Sequence, residues 1–158
     1  MKQKVAAILL LFAMICTFVK PLAVRAEDAR ENGTGTQYYR LGMDEAGNSY
    51  FEQIEKEEFE MAMSQRAATW YAEGWEVVAI SGYTAAYVSL YYTTVVSGGK
   101  KVFDLSTAYF TVNPQNGYTG DLYYNQSSVH SLNMRYEYHN MFFESGYRTH
   151  TFYPEQRS

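Results

Sequence analysis

Val129–His139 reads VHSLNMRYEYH, and its alternation decides the fold class. His130, Leu132, Met134, Tyr136 and Tyr138 fall on one side of an extended chain, and Ser131, Asn133, Arg135, Glu137 and His139 fall on the other. A period of two, with one face apolar and one polar, is the pattern of a strand in a half-buried antiparallel sheet. The same reading carried outward predicts further strands. Glu144-Ser145-Gly146 is a turn, and Tyr147–Tyr153 closes the chain. Upstream, Asn113–Gly117 is a turn cluster followed by a strand over Tyr118–Tyr124. Ser97-Gly98-Gly99-Lys100 is a hairpin turn between a long strand at Thr84–Val96 and a short one at Lys101–Leu105. The apolar positions then slip from odd to even, which predicts a break near Ser106-Thr107 before Ala108–Val112. Trp75–Ile80 (WEVVAI) is the first strand of this series.

Before Trp75 the period changes to that of a helix. Ser49-Tyr50-Phe51-Glu52 matches the capping box that satisfies free backbone donors at a helix start. Phe51, Phe59, Ala62, Met63 and Trp70 share one side at about 100° per residue, which predicts one amphipathic helix over about residues 50–72, with Gly74 as its stop. An alternative pairs Ser49–Ile54 with a strand at Gln37–Met43 across the Asp44–Asn48 turn, starting the helix near Lys56. The expected fold class is therefore α+β and mostly β. The helix precedes an antiparallel β-sandwich or open barrel of about seven strands in region 75–153. Residues 37–158 are expected to form one domain.

The N-terminus reads as an address. Lys2 and Lys4 precede an uncharged run from Val5 to Val19, and Val24 and Ala26 fit a cleavage site after Ala26. The run spans roughly 22 Å as a helix, short of the ~30 Å hydrocarbon core. Residues 1–26 are thus expected to be a removable signal of bacterial type and residues 27–36 a flexible tail, leaving a protein that is secreted or held at the cell envelope with no transmembrane segment. The chain has 158 residues and a net charge of −4; without residues 1–26 it has 9 basic and 17 acidic residues, a net of −8, and no cysteine. That composition excludes a disulfide scaffold, a thiol catalyst and nucleic-acid binding driven by bulk positive charge. Residues 77–158 balance their charges and carry most of the tyrosines.

No motif of known chemistry assembles. His130 and His139 lie nine residues apart on one predicted strand, so they face opposite sides and cannot share a metal. No H-E-x-x-H, G-x-S-x-G or phosphate-loop spacing is present. No catalytic residue, metal site or cofactor is assigned. The strongest signal is Tyr83, Tyr87 and Tyr91, which recur every fourth residue with small residues between them. Tyrosine offers an apolar body and a polar tip, and it is favoured at interfaces. These three are the expected binding residues of a non-enzymatic module that uses an aromatic sheet surface against a protein or glycan partner at the envelope. Two alternatives remain. One is a small secreted hydrolase using His130, His139 or His150 with Asp104 or Asp121. The other is a secreted antagonist or its immunity partner.

Overall fold

The computed structural model describes residues 35–65 and 70–155. The signal expected at 1–26 lies outside the described residues, as do nearly all of the tail expected at 27–36 and residues 66–69 and 156–158. What is described is mostly β, and every strand pairing is antiparallel. The elements run β1 (Gln37–Met43), β2 (Ser49–Ile54), α1 (Lys56–Ser64), β3 (Tyr71–Val78), β4 (Thr84–Tyr92), β5 (Thr94–Ser97), β6 (Lys100–Phe103), a 3-10 turn at Leu105–Thr107, β7 (Ala108–Pro114), β8 (Tyr118–Ser128), β9 (Ser131–Asn140) and β10 (Ser145–Phe152). They form a five-stranded sheet in the order β2-β1-β7-β4-β3, a three-stranded sheet β10-β9-β8 and a two-stranded ribbon β5-β6; none closes into a barrel.

The alternating residues of β9 behave as their pattern requires. Leu132, Met134, Tyr136 and Tyr138 are buried, and their even-numbered phase meets the inward residues of the larger sheet in one apolar core. Leu41 of β1, Val88, Leu90 and Tyr92 of β4, and Phe110 and Val112 of β7 form the opposing face. Burying one face of each sheet is the dominant stabilising term in such a design. Edge-to-face rings fill the seams: Phe110 against Phe152 at 6.2 Å, and Tyr92 against Phe103 at 4.7 Å.

The helix expected at 50–72 is corrected by the structure. Ser49–Ile54 is a strand paired with β1, and the helix occupies only Lys56–Ser64. The reason is the burial of Phe51. As a strand residue it stacks on Tyr39 at 5.2 Å and meets Phe110 edge-on at 5.6 Å. The turn before it is built by Asp44, whose carboxylate accepts from the Asn48 amide at 2.8 Å. The apparent capping serine therefore pairs with Met43, and Glu52 pairs with Arg40. Gly74 ends no helix; it sits within β3 opposite Ser89.

The strand count is also corrected: the described residues form ten strands, against about seven expected. Two of the added strands are the β1–β2 hairpin. A further one arises because the predicted Thr84–Val96 strand divides at Thr93. The Thr93 carbonyl accepts from the Asp104 amide at 3.0 Å, and the chain leaves the large sheet to form the β5–β6 ribbon. Near Ser106-Thr107, where a break was expected, the 3-10 turn is capped by Asp104, whose side chain accepts from the Ser106 amide at 3.1 Å.

The core has one costly feature. The hydroxyls of Tyr136 and Tyr138 are buried and have no hydrogen-bond partner among the described residues. Burial also pushes the Tyr136 phenol well above its ordinary pKa. Replacing Tyr136 by Phe keeps the ring and removes the unpaired oxygen, so urea denaturation should show stability unchanged or raised by up to about 1 kcal/mol. Phe110→Ala in the opposing face should instead cost about 3–5 kcal/mol by the same measurement.

Candidate functional site

Tyr83, Tyr87 and Tyr91 do not form one stripe. The β3–β4 register pairs Val77 with Ala86 but Val78 with Thr84, so Ala85 is an extra residue, and both alanines are buried. This bulge resets the alternation. Tyr87 and Tyr91 point from the outer face of the large sheet, whereas Tyr83 lies opposite Ala79 across a tight turn, with the Ala79 amide donating to its carbonyl at 2.8 Å. Tyr91 is half-buried under α1, where Phe59 meets it edge-on at 5.6 Å and also packs on Tyr38 at 5.0 Å. Tyr87 stays exposed between Glu76 and Asn113, its partners in register. The missed signal was the Ala85-Ala86 doublet, two small apolar residues in succession where strict alternation allows one.

The outer face of the three-stranded sheet carries a second aromatic group. In register across it run Tyr123–Arg135–Thr149, then Asp121–Glu137–Tyr147, then Thr119–His139–Ser145. The Arg135 guanidinium lies 5.1 Å from the Tyr147 ring centre and 5.8 Å from that of Tyr123, and it pairs with Glu137. Both rings remain open to solvent. Asp121 faces Glu137 directly, a like-charge cross-strand pair that stability alone disfavours. A shallow depression of about 360 Å³ lies beside them, lined by Asp121, Glu137, His139, Ser145, Gly146 and Tyr147 among others. Gly120 is needed under this face, because a Cβ there would stand 2.0 Å from the Glu137 carbonyl oxygen.

The three histidines occupy separate places. The His130 amide donates to Ser128 Oγ at 3.2 Å in the β8–β9 turn. His139 Nε2 lies 2.9 Å from Thr119 Oγ1 on the outer face. His150 turns inward, stacked on Trp75 at 5.3 Å and edge-on to Phe152 at 4.6 Å. Asp104 is committed to its 3-10 turn. Among the described residues no three His, Cys, Asp or Glu side chains are grouped to hold a metal ion.

A third surface was not read from the sequence. Three hairpin turns meet at one end of the strands. Ser81 of the β3–β4 turn donates its amide to Glu144 of the β9–β10 turn at 2.9 Å, and its hydroxyl lies 2.9 Å from that of Tyr118. Tyr118 in turn donates to Glu144, and these donors hold the Glu144 carboxyl below its ordinary pKa. Asn116 of the β7–β8 turn donates its side-chain amide to the Thr84 carbonyl at 2.9 Å. The β9–β10 turn has the same hydrogen-bond pattern as Ala79–Tyr83. The Phe143 amide donates to the Asn140 carbonyl, as Gly82 does to Ala79, and Asn140 donates to Glu144. In the first turn the left-handed position is Gly82, at φ +88°; in the second it is Phe143, at φ +64°. A bulky L-residue is disfavoured there. Phe143 is 97% exposed, Phe142 80% and Met141 79%, with Ile80 at 70% and Tyr83 at 66% on the neighbouring turn. The sequence signal was present in Met141-Phe142-Phe143, but with the strand ending at His139 and the turn read at Glu144–Gly146 these residues were left unassigned.

No family model matches the chain, and neither a curated protein nor a solved structure matches it.

Two outcomes test this geometry. Phe143→Gly should raise stability by about 1 kcal/mol in urea denaturation, because it removes a β-carbon from a left-handed position. His150 gives a pH dependence, since burial lowers its pKa from the ordinary 6.5. The fold favours the neutral ring, so its contribution is complete above the unfolded pKa and falls as pH drops through the folded value. The urea midpoint should be lower at about pH 5.5 than at about pH 7, and His150→Phe should remove that part of the difference.

Proposed function

We propose that the chain is an exported, non-enzymatic binding domain. In this reading residues 1–26 direct export and are removed after Ala26, and residues 27–36 are a flexible tail left by that cleavage. The two larger sheets act as a β-sandwich scaffold that presents aromatic residues on an outer face. The partner is a glycan, and its contact is centred on Tyr123, Arg135 and Tyr147 rather than on Tyr83, Tyr87 and Tyr91. One observation carries this choice: two open tyrosine rings flank a fixed guanidinium beside the Asp121–Glu137 pair.

The chemistry suits a sugar. A tyrosine ring offers a flat apolar surface for the C–H face of a pyranose, as its mixed character favours. Carboxylates accept from hydroxyls, and Asp121 is a carboxylate with no reason of stability to oppose Glu137. Asn133 and Thr151, joined at 2.7 Å on the same face, extend the polar surface along the strands. The hydrolase alternative needs a histidine bonded to a carboxylate; His139 meets Thr119 and His150 meets Trp75 instead. Binding is therefore the preferred reading.

The test uses bacterial cell-wall polysaccharide and whole sacculi as probes in a sedimentation assay. Tyr123→Ala and Tyr147→Ala should each weaken retention by about tenfold while the melting transition persists. Tyr87→Ala should leave retention unchanged. Retention that is insensitive to Tyr123 and Tyr147, or that is lost only on Tyr87→Ala, overturns the assignment of this face. Capture of a protein by the same two tyrosines, with no polysaccharide bound, overturns the glycan.

A further inference from the structure

The end of the molecule that carries Met141, Phe142 and Phe143 has chemistry of a different kind from the sheet face. We propose that this end is a membrane-interface anchor, in which the β9–β10 turn inserts its three apolar side chains into the outer layer of a zwitterionic lipid bilayer. The inference does not rest on the glycan reading, because its inserting residues, Met141, Phe142 and Phe143, take no part in that contact.

Shape argues for lipid over a protein pocket. Met141, Phe142 and Phe143 follow one another at the point of a tight turn and form a convex tip with all three side chains in solvent. A fluid phase closes around each. The turn is also prepared for a medium without water. Backbone N–H groups outside regular structure are costly in lipid unless they are satisfied internally. The Asn140 side-chain oxygen accepts from the amides of Phe142 at 2.9 Å and Glu144 at 3.0 Å, and the Asn140 carbonyl accepts from Phe143. The sole carboxylate in the two apolar turns, Glu144, is held back by Ser81 and Tyr118.

The surroundings fit an interface. Ile80 adds a fourth exposed apolar side chain at the same end, and Tyr83 stands beside it. Tyr147 lies farther back along β10. Tyrosine rings set behind an apolar tip occupy the depth at which aromatic belts sit at headgroup level. Such a contact lies within the outer ~5–10 Å of the bilayer and spans nothing. No helix among the described residues is long and apolar enough to cross a membrane. The net charge of −4 disfavours an anionic surface and points to zwitterionic headgroups. The left-handed Phe143 completes the case: glycine would relax the turn, as Gly82 does in the neighbouring one, yet the position carries a fully exposed phenyl ring.

The experiment uses phosphatidylcholine vesicles and flotation of the full chain. Because every variant retains the apolar run at 5–19, flotation is read at lipid concentrations where the parent is only partly bound, so that the run does not saturate partition. Phe142→Ser and Phe143→Gly should each weaken partition by about tenfold, and together by about a hundredfold. Phe143→Gly should do so without lowering the melting temperature, which separates lost binding from lost folding. In Phe142→Trp, the emission gained over the parent should shift to the blue and be quenched by dibrominated phosphatidylcholine. Equal partition of parent and double variant, or no quenching of that added emission, overturns the proposal. So does a tip whose substitutions abolish capture of a protein while vesicle partition is unchanged.

Discussion

The structure depends on burying aromatic rings between two antiparallel sheets without help from covalent links. Residues 27–158 hold no cysteine, five leucines and two isoleucines, so tyrosine and phenylalanine fill space that aliphatic side chains fill elsewhere. A buried phenol then calls for a partner, which Tyr92 and Tyr39 have and Tyr136 and Tyr138 lack among the described residues. Tyr92 donates to Glu73 at 3.0 Å and accepts from the Glu155 amide at 2.9 Å, tying β3 and the C-terminal segment to the core. Tyr39 donates to Gln37 at 3.1 Å, and burial pushes its phenol up to about 12. Burial pushes the Tyr92 phenol up as well.

That constraint explains the placement of the N-terminal hairpin. Phe51 completes a stack with Tyr39 and an edge contact with Phe110, so β2 is drawn into the sheet and the helix shortens to Lys56–Ser64. The shortened helix then rests on the outer face with Phe59 packed among Tyr38, Tyr91 and Tyr109, and Arg40 bridges from β1 to Glu58 at 2.8 Å. The helix removes Tyr91 from the surface, which shifts attention from the large sheet to the uncovered face of the small one. A core need on one side of β1 thus decides which tyrosines on the other side remain available.

The two surfaces that emerge are adjacent but chemically unlike. The sheet face is charged and aromatic, with Arg135 fixed between two rings. The strand end is apolar and uncharged apart from a carboxylate already bonded. They share His139 and Ser145, the last cross-strand pair before the β9–β10 turn. A domain docked by that turn would hold its sheet face beside the membrane.

The alternation in β9 was legible because period two depends only on backbone geometry, and the paired strands β3, β4, β7, β8 and β10 were legible for the same reason. So were the turns at Asp44–Asn48 and Ser97–Lys100, whose glycines take left-handed angles. The choice between helix and strand at Ser49–Ile54 was not legible, since a capping pattern and a strand pattern coexist there and only the contact of Phe51 with Tyr39 and Phe110 separates them. The Ala85 bulge escaped likewise, because a one-residue register shift is set by the partner strand. The apolar end was hidden most deeply. Local sequence places Met141, Phe142 and Phe143 next to one another, but their exposure depends on where three turns from distant parts of the chain come together. By itself, then, the sequence determined period, charge distribution and the absence of motif chemistry, which are local properties. Tertiary structure decided which aromatic residues face solvent, because burial is set by what packs against a residue rather than by the residue itself.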